Sequence, residues 1–241
     1  MNDIPNKSID LILCDLPYGT TQNKWDTVIP FDKLWAQYNR IIKDNGAILL
    51  FSQMPFSANL VMSNPKMFRY EWIWEKEYGS GFLNAKKMPL KIHENILVFY
   101  KHLPTYNPQM REGFKPYYNV CSNPNSSNYG DYKATTSISD GTRYPIDTIK
   151  FNRDRGLHPT QKPVALLEYL IKTYTNEGDT VLDNCMGSGS TGVACKNTNR
   201  EFIGMELDEK YFEIARNRLE DKYWNYYIKF LSYVLSHYWV S

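Results

Sequence analysis

A chain of 241 residues is long enough for one α/β domain with a modest insertion. With 42% hydrophobic and 22% charged residues, its composition is that of a globular protein, which excludes a disordered or fibrous chain. The 28 Lys and Arg against 26 Asp and Glu leave a net charge of +2, so any basic surface has to arise by local clustering.

In chain order, the first expected element is Ile9 to Asp15, IDLILCD, a short continuous apolar run suited to a buried parallel strand. It ends in Asp15-Leu16-Pro17-Tyr18-Gly19, a loop that Pro17 and Gly19 make tight. Apolar residues at helical spacing (Leu34, Trp35, Tyr38, Ile41, Ile42) predict a helix from Phe31 to Lys43, stopped by Asn45-Gly46. A second buried strand is expected from Ala47 to Phe51, a helix from Pro55 to Met62, and strands from Tyr70 to Lys76 and Asn95 to Tyr100. Trp72 and Trp74, at strand spacing in an aromatic run, are expected in the core.

From about His102 to Leu157 periodicity fades, and Pro, Asn, Ser, Gly and Tyr dominate a stretch too long for an ordinary connection. From Lys101 to Leu157 there are eight Lys or Arg against five Asp or Glu, a local excess of three positive charges. Pro163 then starts a helix filled by Val164 to Tyr174. Thr180 to Asp183 is a strand, a Gly-rich turn leads to a helix from about Ser190, Glu201 to Glu206 is a strand, and Asp208 caps a last helix carrying Phe212, Ala215 and Leu219. Strand–helix alternation at both ends predicts a mostly parallel, doubly wound α/β sheet. The aromatic tail from Tyr223 to Ser241 is expected to form an extra helix.

The chemistry starts at the turn between Thr180 and Gly192. Gly187 and Gly189 lie between a strand and a helix, where a backbone without side chains lets a ligand approach closely. Glu206 ends the following strand 17 residues after Gly189, over the same crevice, where a carboxylate accepts ribose hydroxyls. Together they indicate a nucleoside cofactor. Gly187, Gly189 and Gly192 also fit the spacing of a dinucleotide fingerprint, so a dinucleotide stays open at this point; Asp183, however, would oppose a pyrophosphate and suits a cofactor with an ammonium and a sulfonium, such as S-adenosylmethionine.

Asp15-Leu16-Pro17-Tyr18 lies at the carboxyl end of a parallel strand, the ligand-bearing edge of such sheets. An amino nitrogen conjugated to a base ring is a poor nucleophile. Accepting hydrogen bonds from its two hydrogens, by Asp15 and a loop carbonyl of Leu16 or Pro17, shifts electron density onto it. Pro17 holds those acceptors in place, and Tyr18 offers a face on which an everted base stacks, worth roughly 1–3 kcal/mol.

These residues resemble a family. Asp15 to Tyr18 is similar to the [DNS]-P-P-[YFW] tetrapeptide of amino-methyltransferases, and Asp183 to Gly192 to their D-P-F-x-G-x-G-T-T motif. His158-Pro-Thr-Gln-Lys-Pro163 resembles their H-x-x-x-K-P segment, and His93-Glu94-Asn to Lys101 one of their strands. The order, with the catalytic loop first and the cofactor motif last, resembles the β-group of DNA N6-adenine and N4-cytosine methyltransferases. The resemblance spans about Ile9 to Leu219. It implies a Rossmann-like S-adenosylmethionine-dependent methyltransferase fold with circularly permuted motifs.

It further implies that Asp15, Leu16, Pro17 and Tyr18 hold the target amino group. Asp183, Asn184, Cys185, Gly187, Gly189, Ser190 and Thr191 would hold the cofactor, Glu206 its ribose, and Lys162 with the turn around Thr160 its amino-acid end. The divisions expected are 1–101 (catalytic half), 102–157 (target recognition), 158–222 (cofactor half) and 223–241 (tail). Asp at the head of the tetrapeptide favours adenine N6 over the alternative, cytosine N4. A DNA-binding remnant without catalysis is the rival from another class, and methylation of a protein glutamine is disfavoured by the permuted order. Three departures stand out: Leu16 replaces a Pro, Asn184 and Cys185 replace Pro and Phe, and Met1 lies only eight residues before Ile9, where relatives carry a further strand and helix. The last leads to the expectation of an N-terminally shortened form with weakened cofactor binding.

The expected partner is double-stranded DNA; a cognate restriction enzyme and a second copy of the chain are the further partners the resemblance allows. Lys86, Lys87, Lys91, Arg111, Lys115, Lys133, Arg143, Lys150, Arg153 and Arg155 are candidates for phosphate contact, and Tyr129 to Tyr132 for stacking. His93 and His158 are expected to be structural. Cys14, Cys121, Cys185 and Cys195 form no CxxC pair and lack His neighbours at metal spacing, so reduced thiols, no metal and a cytoplasmic location are expected. No apolar stretch reaches the roughly 18 residues of a membrane helix, and the N-terminus does not read as a signal peptide, so no membrane partner is expected.

Overall fold

The computed structural model describes residues 1–19, 26–121, 135–154 and 161–220. The chain divides into two compact units: Met1–Asn107 together with the chain from Asp147, and Pro108–Ile146. The first is built on a seven-stranded sheet of order β7-β3-β4-β2-β1-β8-β9. Its strands are β1 (Ile9–Asp15), β2 (Ile42–Ser52), β3 (Phe68–Ser80), β4 (Lys91–Phe99), β7 (Thr148–Lys150), β8 (Thr180–Asp183) and β9 (Glu201–Gly204). β4 alone runs against its neighbours; the β3–β7, β2–β1, β1–β8 and β8–β9 pairs are all parallel. The mostly parallel, doubly wound sheet read from strand–helix alternation is the one observed.

Continuous apolar strands follow from burial on both faces. On β1, Leu11 and Leu13 face a cluster with Leu166, Leu170, Ala194, Phe202 and Ala215, and Ile12 and Cys14 face one with Leu34, Tyr38, Ile41 and Leu60. The first layer belongs to helices α3 (Val164–Tyr174), α4 (Ser190–Asn197) and α5 (Glu209–Leu219), the second to α1 (Phe31–Ile41) and α2 (Phe56–Ser63). Trp72 and Trp74 are core residues, and their indole N–H groups are satisfied by Tyr174 Oη at 2.7 Å and the Phe151 carbonyl at 2.8 Å.

Several boundaries differ from expectation: β3 runs from Phe68 to Ser80 and β4 from Lys91, both longer than expected, and β9 ends at Gly204, so Glu206 lies beyond the strand. Helix α1 ends at Ile41, and Asn45-Gly46 lies inside β2 rather than stopping the helix. Between the β1–β2 pairs Ile9↔Ile42 and Leu11↔Ala47 the register shifts, so the extra residues bulge out of the ladder. Pro163 is the N-cap of α3 rather than its first residue. Strand β7, three residues within the stretch whose periodicity fades, pairs with β3 through Ile73↔Thr148 and Glu75↔Lys150.

The unit Pro108–Ile146 carries an antiparallel pair, β5 (Tyr117–Cys121) with β6 (Thr135–Ser139), and a bridge between Arg111 and Arg143. Arg143 is enclosed there: its guanidinium lies 4.5 Å from the Tyr117 ring centre and donates to the Lys115 carbonyl at 2.8 Å. Among the described residues, no helix is long and apolar enough to cross a membrane, and no group of acidic, His or Cys side chains is arranged to hold a metal. Arg155, His158, Thr160, Tyr129 to Tyr132, Lys133 and the tail lie outside the described residues.

Candidate functional site

Two strands adjacent in space but far apart in sequence define the site. β1 and β8 pair in parallel through Leu11↔Val181 and Ile12↔Leu182, and each ends in an aspartate, Asp15 and Asp183. Cys14, next to Asp15, is buried in the cluster against which Cys185 packs, and burial pushes its thiol pKa well up. The two motifs that sequence spacing assigns to separate halves of the chain therefore lie side by side at one edge of the sheet.

At the Asp183 end, the carboxylate accepts from Thr191 Oγ1 at 2.6 Å and the Cys185 amide at 3.0 Å. Burial outweighs these bonds and raises its pKa to about 6. Glu206, two residues past β9, accepts from the amides of Gly187, Leu207 and Asp208, each at 2.8 Å, and burial raises it as well. Among the described residues no cation pairs with either carboxylate. The two glycines of the turn differ in what they avoid. A Cβ on Gly187 (φ +51°) would meet open space, whereas one on Gly189 (φ +79°) would lie 2.9 Å from Ala215 Cβ. Gly187 therefore leaves room beside the crevice, and Gly189 lets α5 pack onto the start of α4.

Asn184 replaces the usual Pro and is held by the buried Tyr38, whose hydroxyl donates to Asn184 Oδ1 at 2.5 Å. Ser188 and Ser190 are braced from α5 by Arg218, which donates to the Ser188 carbonyl at 2.5 Å and to Ser190 Oγ at 3.3 Å. Neither Tyr38 nor Arg218 carries a sequence signal for this task, because each acts from a helix remote in the chain.

At the Asp15 end, Tyr18 Oη donates to Asp15 Oδ1 at 2.7 Å, and the Tyr18 ring lies 5.0 Å from Phe56. Leu16 is buried in the core, so its side chain anchors the loop as well as supplying backbone. Asp15 Oδ2 receives Lys162 Nζ. The same ammonium is 3.4 Å from Glu94 Oε2 and 5.0 Å from the Phe51 ring centre. Glu94 Oε1 in turn takes Lys76 Nζ. The result is a line of alternating charge, Lys76, Glu94, Lys162, Asp15, with each side chain less than a quarter exposed. Burial alone would raise Glu94, but Lys162 and Lys76 prevail and hold it below the ordinary carboxylate value. Burial would likewise lower Lys162, yet Asp15 and Glu94 keep it above its usual pKa. Lys162, expected at the cofactor's amino-acid end, thus has its ammonium on the Asp15 loop. Glu94 and Lys76 were not singled out from sequence; the position of Glu94 in the His93-Glu94-Asn segment was the available signal.

Among the candidate phosphate contacts, Lys150 is paired with Glu75 at 3.1 Å and Arg153 with Glu77 at 3.2 Å. Lys86, Lys87 and Lys91 are exposed, as is His93.

A parallel sheet with a Gly-rich turn after one strand, a carboxylate after the next and an acidic loop on the neighbouring strand defines the Rossmann-like methyltransferase class. The chain belongs to the DNA methylase family of the N6/N4 type, which it matches over residues 9–217, and this family uses S-adenosylmethionine. It is similar to the Type II methyltransferase M.HpaI of Haemophilus parainfluenzae, 29% identical over 92% of this chain and 72% of that protein. It is also similar to the DNA adenine methyltransferase YhdJ of Escherichia coli (strain K12), 29% identical over 91% of this chain and 79% of the relative. Among solved structures, the M1.HpyAVI–SAM complex superimposes with a TM-score of 0.59 at 26% identity, over 88% of this chain and 90% of that one.

The residues present fit S-adenosylmethionine. Asp183 and Glu206 are carboxylates raised by burial without a neighbouring cation, so a ligand carrying positive charge and ribose hydroxyls answers both. The space at Gly187 admits a close approach. A pyrophosphate would meet Asp183 with like charge.

Proposed function

We propose that this chain methylates N6 of adenine at a specific site in double-stranded DNA, acting on a base turned out of the helix. The observation that carries the reading is the convergence of Asp15 and Asp183 at the carboxyl ends of paired strands. When bound, S-adenosylmethionine supplies an electrophilic methyl group beside the crevice.

The protein's own part is to hold and orient. Asp183 faces the cofactor's ammonium, Glu206 its ribose, and the Gly187 turn its backbone approach. Asp15 accepts a hydrogen bond from the target amino group, a Leu16 or Pro17 carbonyl accepts the other, and the nitrogen lone pair is thereby freed from the ring. Tyr18, backed by the buried Phe56, offers the aromatic face for the base. Lys162 holds Asp15 Oδ2, so the carboxylate reaches the base in a fixed orientation. Asp at the head of the tetrapeptide supports adenine, and so does the adenine activity in the name of YhdJ. Residues 102–157 are proposed as the target-recognition region.

The test is expression in a host lacking adenine methylation, followed by sequencing with modified-base detection. N6-methyladenine at one defined sequence, absent with Asp15→Ala, is the expected result. N4-methylcytosine alone overturns the base assignment, and no modification overturns the activity.

A further inference from the structure

Eversion of a base opens a gap in the stack, and proteins that distort a duplex frequently insert apolar wedges between base steps. Among the described residues, the site proposed to hold the everted base offers no side chain for the gap. The hairpin joining β3 to β4 does. Because β3 runs parallel to β1 and β2, it leaves the sheet at the edge that bears Asp15, and β4 returns from that edge. The last residue of β2, Ser52, pairs with Asn95, so β4 from Lys91 to Glu94, still paired with β3, already extends beyond β2. Four residues of strand carry the hairpin about 13 Å beyond β2 before its turn begins. Glu94, at its base, contacts the ammonium that holds Asp15.

The tip is a built turn. Asn84 and Ala85 amides donate to the Gly81 and Phe82 carbonyls at 2.9 and 3.0 Å, and Lys87 and Met88 amides donate to the Asn84 carbonyl at 2.8 and 3.0 Å. That turn presents Phe82, 80% exposed, and Leu83, 97% exposed, to solvent. With Tyr78, Met88 and Leu90 also exposed on the same hairpin, the tip gathers large apolar side chains at the surface, the mark of an interaction site. Between Glu77 and Glu94 the segment carries Lys86, Lys87 and Lys91 and no acidic residue, a charge complementary to phosphates flanking an apolar insertion.

We propose that the β3–β4 tip is the wedge of this enzyme: Phe82 and Leu83 enter the duplex where the target base leaves it, and Lys86, Lys87 and Lys91 seat on the adjoining phosphates. The inference rests on the reading of the chain as a base-everting DNA methyltransferase.

The test uses the full chain and a duplex carrying its methylated site, either fully paired or with an abasic position opposite the target. With Phe82→Ala/Leu83→Ala, kcat/KM on the paired duplex falls about tenfold or more and returns to within about threefold of wild type on the abasic duplex, where eversion costs least. Fluorescence of 2-aminopurine at the target position rises with wild type and stays low with the double variant, while the melting temperature and S-adenosylmethionine affinity are unchanged. Equal loss on both duplexes, or no loss on the paired one, overturns the wedge. A change in the sedimentation mass of the free protein on double substitution also overturns it, by assigning the tip to contact between copies. Wild-type protein that transfers no methyl to either duplex fails the functional reading itself, a result visible before any variant is measured.

Discussion

Lys162 Nζ donates to Oδ2 of Asp15, a residue 147 positions earlier in the chain. The bond joins the segment before α3 to the last residue of β1, and it does so beneath the place assigned to the target base. Glu94 and Lys76 extend it into a line of four charges in which each carboxylate touches an ammonium.

Lys162→Met keeps the side chain's bulk over Phe51 but leaves Glu94 with Lys76 alone. Removing one member of a half-buried pair costs about 3 kcal/mol. Glu94 is held below its ordinary 4.5 by the two lysines, so its contribution to stability is present above about that pH and is lost as pH falls through the lower folded value. The stability gap between wild type and variant, measured by urea unfolding, is therefore largest above about pH 4.5 and shrinks on acidification below it. If Lys162 acts through Asp15, kcat falls while cofactor affinity is kept. A weaker affinity with kcat unchanged would return Lys162 to the cofactor's amino-acid end.

Asp183→Asn separates charge from hydrogen bonding, since the amide oxygen still accepts from Cys185 and the Thr191 hydroxyl can turn to accept from nitrogen. The folded carboxyl titrates at about 6 against 3.8 when free. A raised carboxyl stabilises the fold only while protonated: that contribution is full below about pH 4 and gone above about pH 6. Its ionised form costs the free protein about 3 kcal/mol at neutral pH, an order-of-magnitude figure. The variant is therefore expected to melt higher than wild type at pH 8 and to lose that advantage near pH 4. Its S-adenosylmethionine affinity by calorimetry falls about tenfold, and wild-type affinity weakens as pH drops through 6.

The elements around these residues were legible because their signals are local. Ile9–Asp15, Val164–Tyr174 and Thr180–Asp183 were all readable from unbroken apolar runs and a leading Pro, and the Asp208 cap from one side chain, which accepts from the Tyr211 amide at 3.1 Å. Asn45-Gly46 misled because a bulge against Asp10 is a tertiary event, and the same dipeptide reads as a helix stop when only the chain is seen. β7 is three residues whose strand character comes from β3. In the site, Asp15, Asp183, Gly187 and Glu206 announced themselves by motif, whereas Glu94, Lys76, Tyr38 and Arg218 act across the sheet and carry no spacing relative to what they hold.

The two glycines give a discriminating pair. Gly189→Ala meets Ala215 at 2.9 Å and a left-handed backbone together, so it is expected to lower stability by about 2–4 kcal/mol, read as a shift in urea midpoint. Gly187→Ala meets open space and only the backbone penalty, about 1 kcal/mol, yet fills the room proposed for the cofactor. Its melting temperature stays near wild type while its S-adenosylmethionine affinity drops. The reverse ranking would remove Gly187 from the crevice.

Tyr18→Phe keeps the ring against Phe56 and loses the bond to Asp15, whereas Tyr18→Ala loses both. Stacking worth roughly 1–3 kcal/mol implies that the alanine variant loses about ten- to a hundredfold in kcat/KM, and the phenylalanine variant much less. Steady-state methyl transfer to the identified site measures both. Equal losses would mean that the hydroxyl, not the ring, is what the reaction uses.

The sheet order has a consequence for how such a chain can be encoded. β1 is flanked by β2 from its own stretch of sequence and by β8 from the other side of Pro108–Ile146, while β3 receives β7 from that same far side. A polypeptide severed within Pro108–Ile146 yields two fragments whose open strand edges are each other's complement, one ending its strand in Asp15 and the other in Asp183. Two separate genes, in either order, would specify the same reaction edge once their products zip together.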